Sequence, residues 1–152
     1  MRSGVTLVEL VLVIGLFTLL ATVGLLSLIT PQQKLTADSA KNLILLTVKE
    51  AQNKAMTGVE AENFSVHFES GGFSLFKGTI FDSTDPENLV TNLDPSLSFT
   101  AINLPSQNIV FSKLSGEAEN FDPALNSIIL TDSQTGKNFT FTLNRLGAVN
   151  VN

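Results

Sequence analysis

Twenty consecutive uncharged residues, Leu10 to Ile29 (LVLVIGLFTLLATVGLLSLI), constrain this chain more than any other feature in it. As an α-helix rising about 1.5 Å per residue, such a run is about 30 Å long, the thickness of a hydrocarbon core. A secretory signal peptide has a shorter apolar stretch ending in a small-residue cleavage site. Leu28-Ile29-Thr30-Pro31 offers no such site. A plain single-span anchor fits the length but leaves Glu9 unexplained, because a carboxylate inside apolar sequence normally has a partner. A Glu that merely snorkels to the membrane surface is the plainer alternative.

The residues around Glu9 carry a resemblance. Gly4-Val5-Thr6-Leu7-Val8-Glu9-Leu10-Val11-Leu12-Val13-Ile14, preceded by Met1-Arg2-Ser3, resembles the cleavage and methylation segment of type IV prepilins and pseudopilins. The resemblance implies that a prepilin peptidase cuts after Gly4 and methylates the new amine of Val5. It also implies that Glu9 is the assembly residue, neutralising the N-terminal amine of a neighbouring subunit inside a filament. Each of those charges is costly alone in a low dielectric, and pairing them sets register more than it adds net stability. The chain departs from the family pattern at two points: Val5 stands where Phe or Met is more usual, and the short leader holds one base, Arg2.

With about 30 of its 152 residues in this segment, the chain has enough left for one small domain. Mean hydropathy is +0.27, much of it from the N-terminal run. A net charge of −5 with no basic cluster argues against a nucleic-acid-binding head. Cysteine is absent, which removes disulfides and thiolate metal sites without fixing the compartment. Trp and Tyr are absent too, so Phe carries the aromatic load. Arg2 on the cytoplasmic side sets the expected orientation, with the C-terminal part translocated.

Thr30-Pro31-Gln32-Gln33 reads locally as a helix start, whereas the family implies one long helix passing through; helix on both sides with a kink at Pro31 is expected. Gly15 and Gly24 are further weak points, or else sites of close helix packing. From Thr36 to Met56, Ala40, Ile44, Val48, Ala51 and Ala55 recur every three or four residues, and Leu43 and Leu46 widen the stripe. Packing on a sheet is expected; a membrane-surface helix is the alternative, with no dense basic band to favour it. Gly58 terminates the helix.

After Gly58 the period falls to two. Phe64, Val66 and Phe68 alternate with Ser65, His67 and Glu69, and Gly71-Gly72 turns the chain into Phe73–Phe76, with Thr79–Phe81 as a possible extension. Further strands are expected at Leu97–Ala101, Asn108–Phe111, Ser127–Thr131, Phe139–Leu143 and Ala148–Val151, with loops at 82–95 and 112–125. The phrase Val48-Lys49-Glu50-Ala51-Gln52-Asn53-Lys54-Ala55, the strand pairs and a closing hairpin ending Arg145-Leu146-Gly147-Ala148-Val149 together resemble GspH/FimT-type minor pilins and pseudopilins.

Chemistry is sparse. His67 is the one histidine and alternation places it on the wet side of its strand. Asp82, Asp85, Glu87 and Asp94 crowd one loop, but Ca²⁺ takes about six to eight oxygens and their spacing matches no EF-hand, so a solvated acidic loop is expected. Asn63-Phe64-Ser65 and Asn138-Phe139-Thr140 match the glycosylation sequon, each at the start of an expected strand. No nucleophile motif or phosphate loop is present. No catalytic residue, metal or cofactor is expected, and the chain is not expected to be an enzyme.

The expected fold class is α+β, a long N-terminal helix, membrane-spanning in its first half and amphipathic in its second, packed on an antiparallel β-sheet head. The expected parts are a leader at 1–4, a transmembrane or filament-core helix at 5–30, an amphipathic helix at 31–57 and a β-rich head at 58–152. The expected function is that of a structural subunit, a minor pilin or pseudopilin, in a type IV pilus, a type II secretion pseudopilus or a DNA-uptake filament. Its site residues are Gly4 and Val5 for cleavage, Val5 for methylation and Glu9 for assembly. Its partners are the membrane, other pilin subunits, prepilin peptidase and an inner-membrane assembly platform, with no direct nucleic acid. Its location is the cytoplasmic membrane, single-pass, head outside, and then a filament. A major pilin, or a membrane-anchored binding domain that never polymerises, are the alternatives.

Overall fold

The computed structural model describes residues 7–58 and 62–152, and within the first stretch the side chains at 18–36 lie outside the description. The chain divides into two compact units, Met1–Thr36 and Ala37–Asn152. Helix α1 is assigned from Leu7 to Thr57. The kink expected at Pro31, and Gly24, fall within 18–36, where side chains lie outside the description.

In the second unit α1 buries Ala37, Ala40, Ile44, Val48, Ala51 and Ala55. The stripe is narrow: Leu43 and Leu46, expected to widen it, are 44% and 67% exposed. Ala at four of these six positions lets the helix backbone approach the core, and the bulkier Leu side chains fall on the opposite flank of the 3.6-residue period. The helix stops at Gly58, whose φ of 65° is a left-handed conformation suited to a residue without Cβ.

Among the described residues eight strands follow: β1 (Phe64–Glu69), β2 (Gly72–Lys77), β3 (Leu89–Asn92), β4 (Leu97–Asn103), β5 (Asn108–Phe111), β6 (Ser127–Asp132), β7 (Asn138–Leu143) and β8 (Val149–Val151). They form two antiparallel sheets, one ordered β3-β2-β1-β5 and the other β4-β6-β7-β8. Between β3 and β4 the chain changes sheet at Asp94-Pro95, where Pro cannot donate to a ladder. Phe68 of β1 and Phe73 of β2 meet Phe99 of β4 across the two sheets, with centroids 5.5 and 6.5 Å from Phe99. That aromatic cluster, the Ala/Ile/Val face of α1, and Phe111, Leu130 and Phe141 make one hydrophobic core.

The expected fold class is corrected on two points. First, the head is not one sheet but two, because period-two alternation tells which residues share a face and not which strands pair. Second, a long membrane-spanning helix is not shown. The described side chains of α1 fall into Leu7–Phe17 and Ala37–Thr57. The first part is an eleven-residue apolar segment, about 16 Å long against the ~30 Å of a hydrocarbon core. The second carries Lys41, Lys49, Glu50 and Lys54. Among the described residues no helix is long and apolar enough to cross a membrane.

Two smaller differences concern the first sheet. Thr79–Phe81 does not extend β2; the chain leaves the strand at Gly78, φ 100°. Instead Phe81 folds back over the sheet's second face, 5.4 Å from Phe76 and 4.0 Å from the His67 ring. That face is therefore covered, and Ser65, Ser74, Asn108 and Val110 on it are buried. The strand β3 lies inside the stretch expected to be loop, where Leu89-Val90-Thr91-Asn92 shows no alternation because both its faces are largely exposed.

Candidate functional site

The first candidate is the helical segment Leu7–Phe17. Every residue in it is exposed, and nine are large and apolar: Leu7, Val8, Leu10, Val11, Leu12, Val13, Ile14, Leu16 and Phe17. A helix apolar all round is one that another apolar surface normally covers. Fully burying one such side chain contributes about 1.5–3 kcal/mol, so nine supply a large drive toward association. Glu9 is the one charge in the segment and lies in the first turn of α1, where the helix dipole favours an anion. Glu9 also takes part in a further interaction of its own. Gly4 and Val5, the expected cleavage and methylation residues, lie outside the described residues, as does Arg2. The structure thus places Glu9, exposed, in the first turn of α1, and its expected amine partner lies outside the described residues.

The second feature is a clamp between helix and loops. Gln52 donates from Nε2 to the carbonyls of Gly116 (2.9 Å) and Leu146 (2.8 Å). Gly116 and Gly147 both have left-handed φ, 68° and 82°. A Cβ on Gly147 would stand 2.6 Å from Gln52 Nε2 and 2.7 Å from the Phe111 ring. The helical phrase Val48–Ala55 and the closing hairpin Arg145–Val149 thus meet at Gln52. Both phrases stood out in the sequence; that a glutamine amide joins them was missed, because its two acceptors are 64 and 94 residues away along the chain.

His67 is not the wet surface residue expected. Its side chain is 12% exposed. One ring nitrogen, Nδ1, lies 2.6 Å from Asn108 Oδ1, Nε2 lies 3.5 Å from Glu69, and Phe81 stacks on the ring. Alternation failed because the 78–81 turn supplies a cover that strand periodicity cannot foresee.

The acidic loop is organised by its own backbone. Asp82 Oδ1 accepts from Thr84 N–H (2.9 Å) and the Thr84 hydroxyl (2.7 Å), and these bonds hold its carboxyl below the ordinary range. Asp94 is lowered likewise by the Ser96 hydroxyl and N–H. Such turns keep the carboxylates ionised and splayed toward solvent. Among the described residues no three His, Asp or Glu side chains are grouped to hold a metal ion.

The two sequons differ in surroundings. Asn63 is engaged on both sides of its amide, donating to Glu119 Oε2 (2.6 Å) and accepting from Lys113 N–H (3.0 Å). Asn138 is exposed, and its Oδ1 accepts from the Thr131 hydroxyl. On the solvent side of α1, Leu43, Leu46, Thr47, Glu50, Asn53 and Thr57 help line an open groove of about 610 Å³. Compared with protein-family models, characterised proteins and solved structures, the chain matches none.

Proposed function

We propose that the protein is a structural subunit, a minor pilin or pseudopilin, that is cut after Gly4 by a prepilin peptidase and drawn into a helical filament. The filament is of the type IV pilus, type II secretion pseudopilus or DNA-uptake kind. The observation that carries this reading is the exposed apolar segment Leu7–Phe17 with its single carboxylate, Glu9. A helix that leaves nine large apolar side chains open is suited to burial among like helices of other copies. In that setting Glu9 meets the methylated amine of a neighbour's Val5, and two charges costly alone satisfy each other. Head-to-tail repetition of one non-self-complementary contact generates an open helix rather than a closed ring. Before assembly the subunit resides at the cytoplasmic membrane with its head outside, in reach of the peptidase and an assembly platform.

N-terminal peptide mass spectrometry on protein from its native membrane tests this directly. A mature chain beginning at Val5 with a methylated amine is the expected result. A chain that keeps Met1-Arg2-Ser3-Gly4 beside an active prepilin peptidase overturns it. In that case the anchored, non-polymerising binding domain stands in its place.

A further inference from the structure

Among the described residues the two sheets have four edges, and three of them are covered, bulged or only three residues long. The outer edge of β5 is occupied: Val110 exchanges bonds with the 118–120 segment, accepting from Glu119 N–H (2.8 Å) and donating to Asn120 Oδ1 (3.0 Å). The edge strand β4 carries a bulge between Phe99 and Ala101, and β8 is only three residues long with Asn150 at its centre. Covering, bulging and shortening are the usual means by which proteins blunt an edge. The fourth edge, β3, is itself short at four residues, but among the described residues it is neither bulged nor paired on its outer side. It pairs with β2 on one side in unbroken register from Leu89 to Asn92, contains no Lys or Pro, and presents Leu89 and Val90 at 55% and 64% exposure.

The flanks of β3 say what suits this edge. Asp82, Asp85 and Glu87 precede it and Asp94 follows, all exposed, with no Lys or Arg between Phe81 and Ser96. Among the described residues none of these four has an ion-pair partner. A second copy laid edge to edge would set four carboxylates against four, and like charges directly opposite destabilise a strand pair. A segment carrying Lys or Arg on either side of a short alternating apolar stretch meets the opposite situation.

We propose that β3 is a strand-addition site for a different protein, taking an extended segment with apolar residues at alternate positions and basic residues on both flanks. Backbone bonds to the open edge supply affinity, Leu89 and Val90 supply apolar contact, and the carboxylates supply orientation and partner choice. The inference rests on the head alone and stands whether or not the chain polymerises.

The test uses the full chain in detergent micelles and three nine-residue peptides. The probe is Lys-Lys-Val-Thr-Val-Thr-Val-Lys-Lys. One control keeps the four lysines around Gly-Ser-Gly-Ser-Gly, and the other keeps the Val/Thr core between glutamates. The probe is expected to bind about tenfold or more tighter than either control and to slow amide exchange at 89–92. Val90→Lys is expected to weaken probe binding about tenfold, while Val90→Thr retains it. Both changes are at Val90 on the exposed edge, and circular dichroism checks that each variant folds. Equal binding by the Gly/Ser control reduces the effect to loop charge and overturns the proposal. No binding, protection confined to other strands, or indifference to Val90→Lys overturns it equally.

Discussion

At the scale of single residues, the most consequential polar group in the head is Asp132, which is buried at the end of β6. Burial pushes its carboxyl up, and Asp94 adds repulsion. Bonds from the Thr135 hydroxyl (2.8 Å) and from the Gln134 and Thr135 N–H groups outweigh both and leave it below the ordinary carboxylate range. A carboxyl whose folded value is depressed binds protons more readily in the unfolded chain. Its contribution is therefore fully present above the unfolded value of about 3.9 and is lost as pH falls through the lower folded value. Asp132→Asn is expected to cost about 1–3 kcal/mol near neutrality by urea unfolding, with the gap from wild type closing below about pH 4. Gly147 sets a second test. Its φ and the crowding by Gln52 and Phe111 make Gly147→Ala destabilising by about 2 kcal/mol or more, whereas Gly136→Ala, with the same hand of φ and open space around it, costs less. Thermal unfolding of the two variants side by side measures the difference.

Among the elements, the second part of α1 is the clearest case of sequence meeting packing. Ala40, Ile44, Val48, Ala51 and Ala55 were legible as a buried stripe and are buried. Leu43 and Leu46 were not legible as exposed, because hydrophobicity alone cannot separate core width from a surface left for another molecule. The expected consequence is a contrast: Ile44→Ala costs about 2–5 kcal/mol of stability, while Leu46→Gln stays within about 0.5 kcal/mol. If chemical denaturation shows Leu46→Gln to be as damaging as Ile44→Ala, the helix face has been assigned wrongly. The strands tell a parallel story. Phe64, Val66 and Phe68 announced one buried face of β1, but the burial of Ser65 and the cover over His67 depended on the 78–81 turn, 13 or more residues beyond Ser65. The short β3 was hidden because an edge strand exposed on both faces carries no periodic signal.

For the whole molecule, the described core belongs to Ala37–Asn152, and nothing in Leu7–Phe17 contributes to it. Glu9→Val is therefore expected to leave the thermal unfolding of the head unchanged and, on the proposed function, to keep the subunit out of filaments, read by shearing and immunoblotting. Loss of head stability in that variant would contradict the division into two units. The reading of Gly4, Val5 and Glu9 rests on residue type and spacing within one turn or two of chain and remains part of the proposal. The helix phase and most strands were legible from sequence, since periods of 3.6 and 2 are local properties of the backbone. What only the tertiary structure decided was which strands share a sheet, which Leu residues of α1 face outward, how Gln52 ties the helix to Gly116 and Leu146, and which of the four edges stays open. Each of these depends on segments distant in sequence reaching the same place, and a local pattern holds no record of its long-range partner.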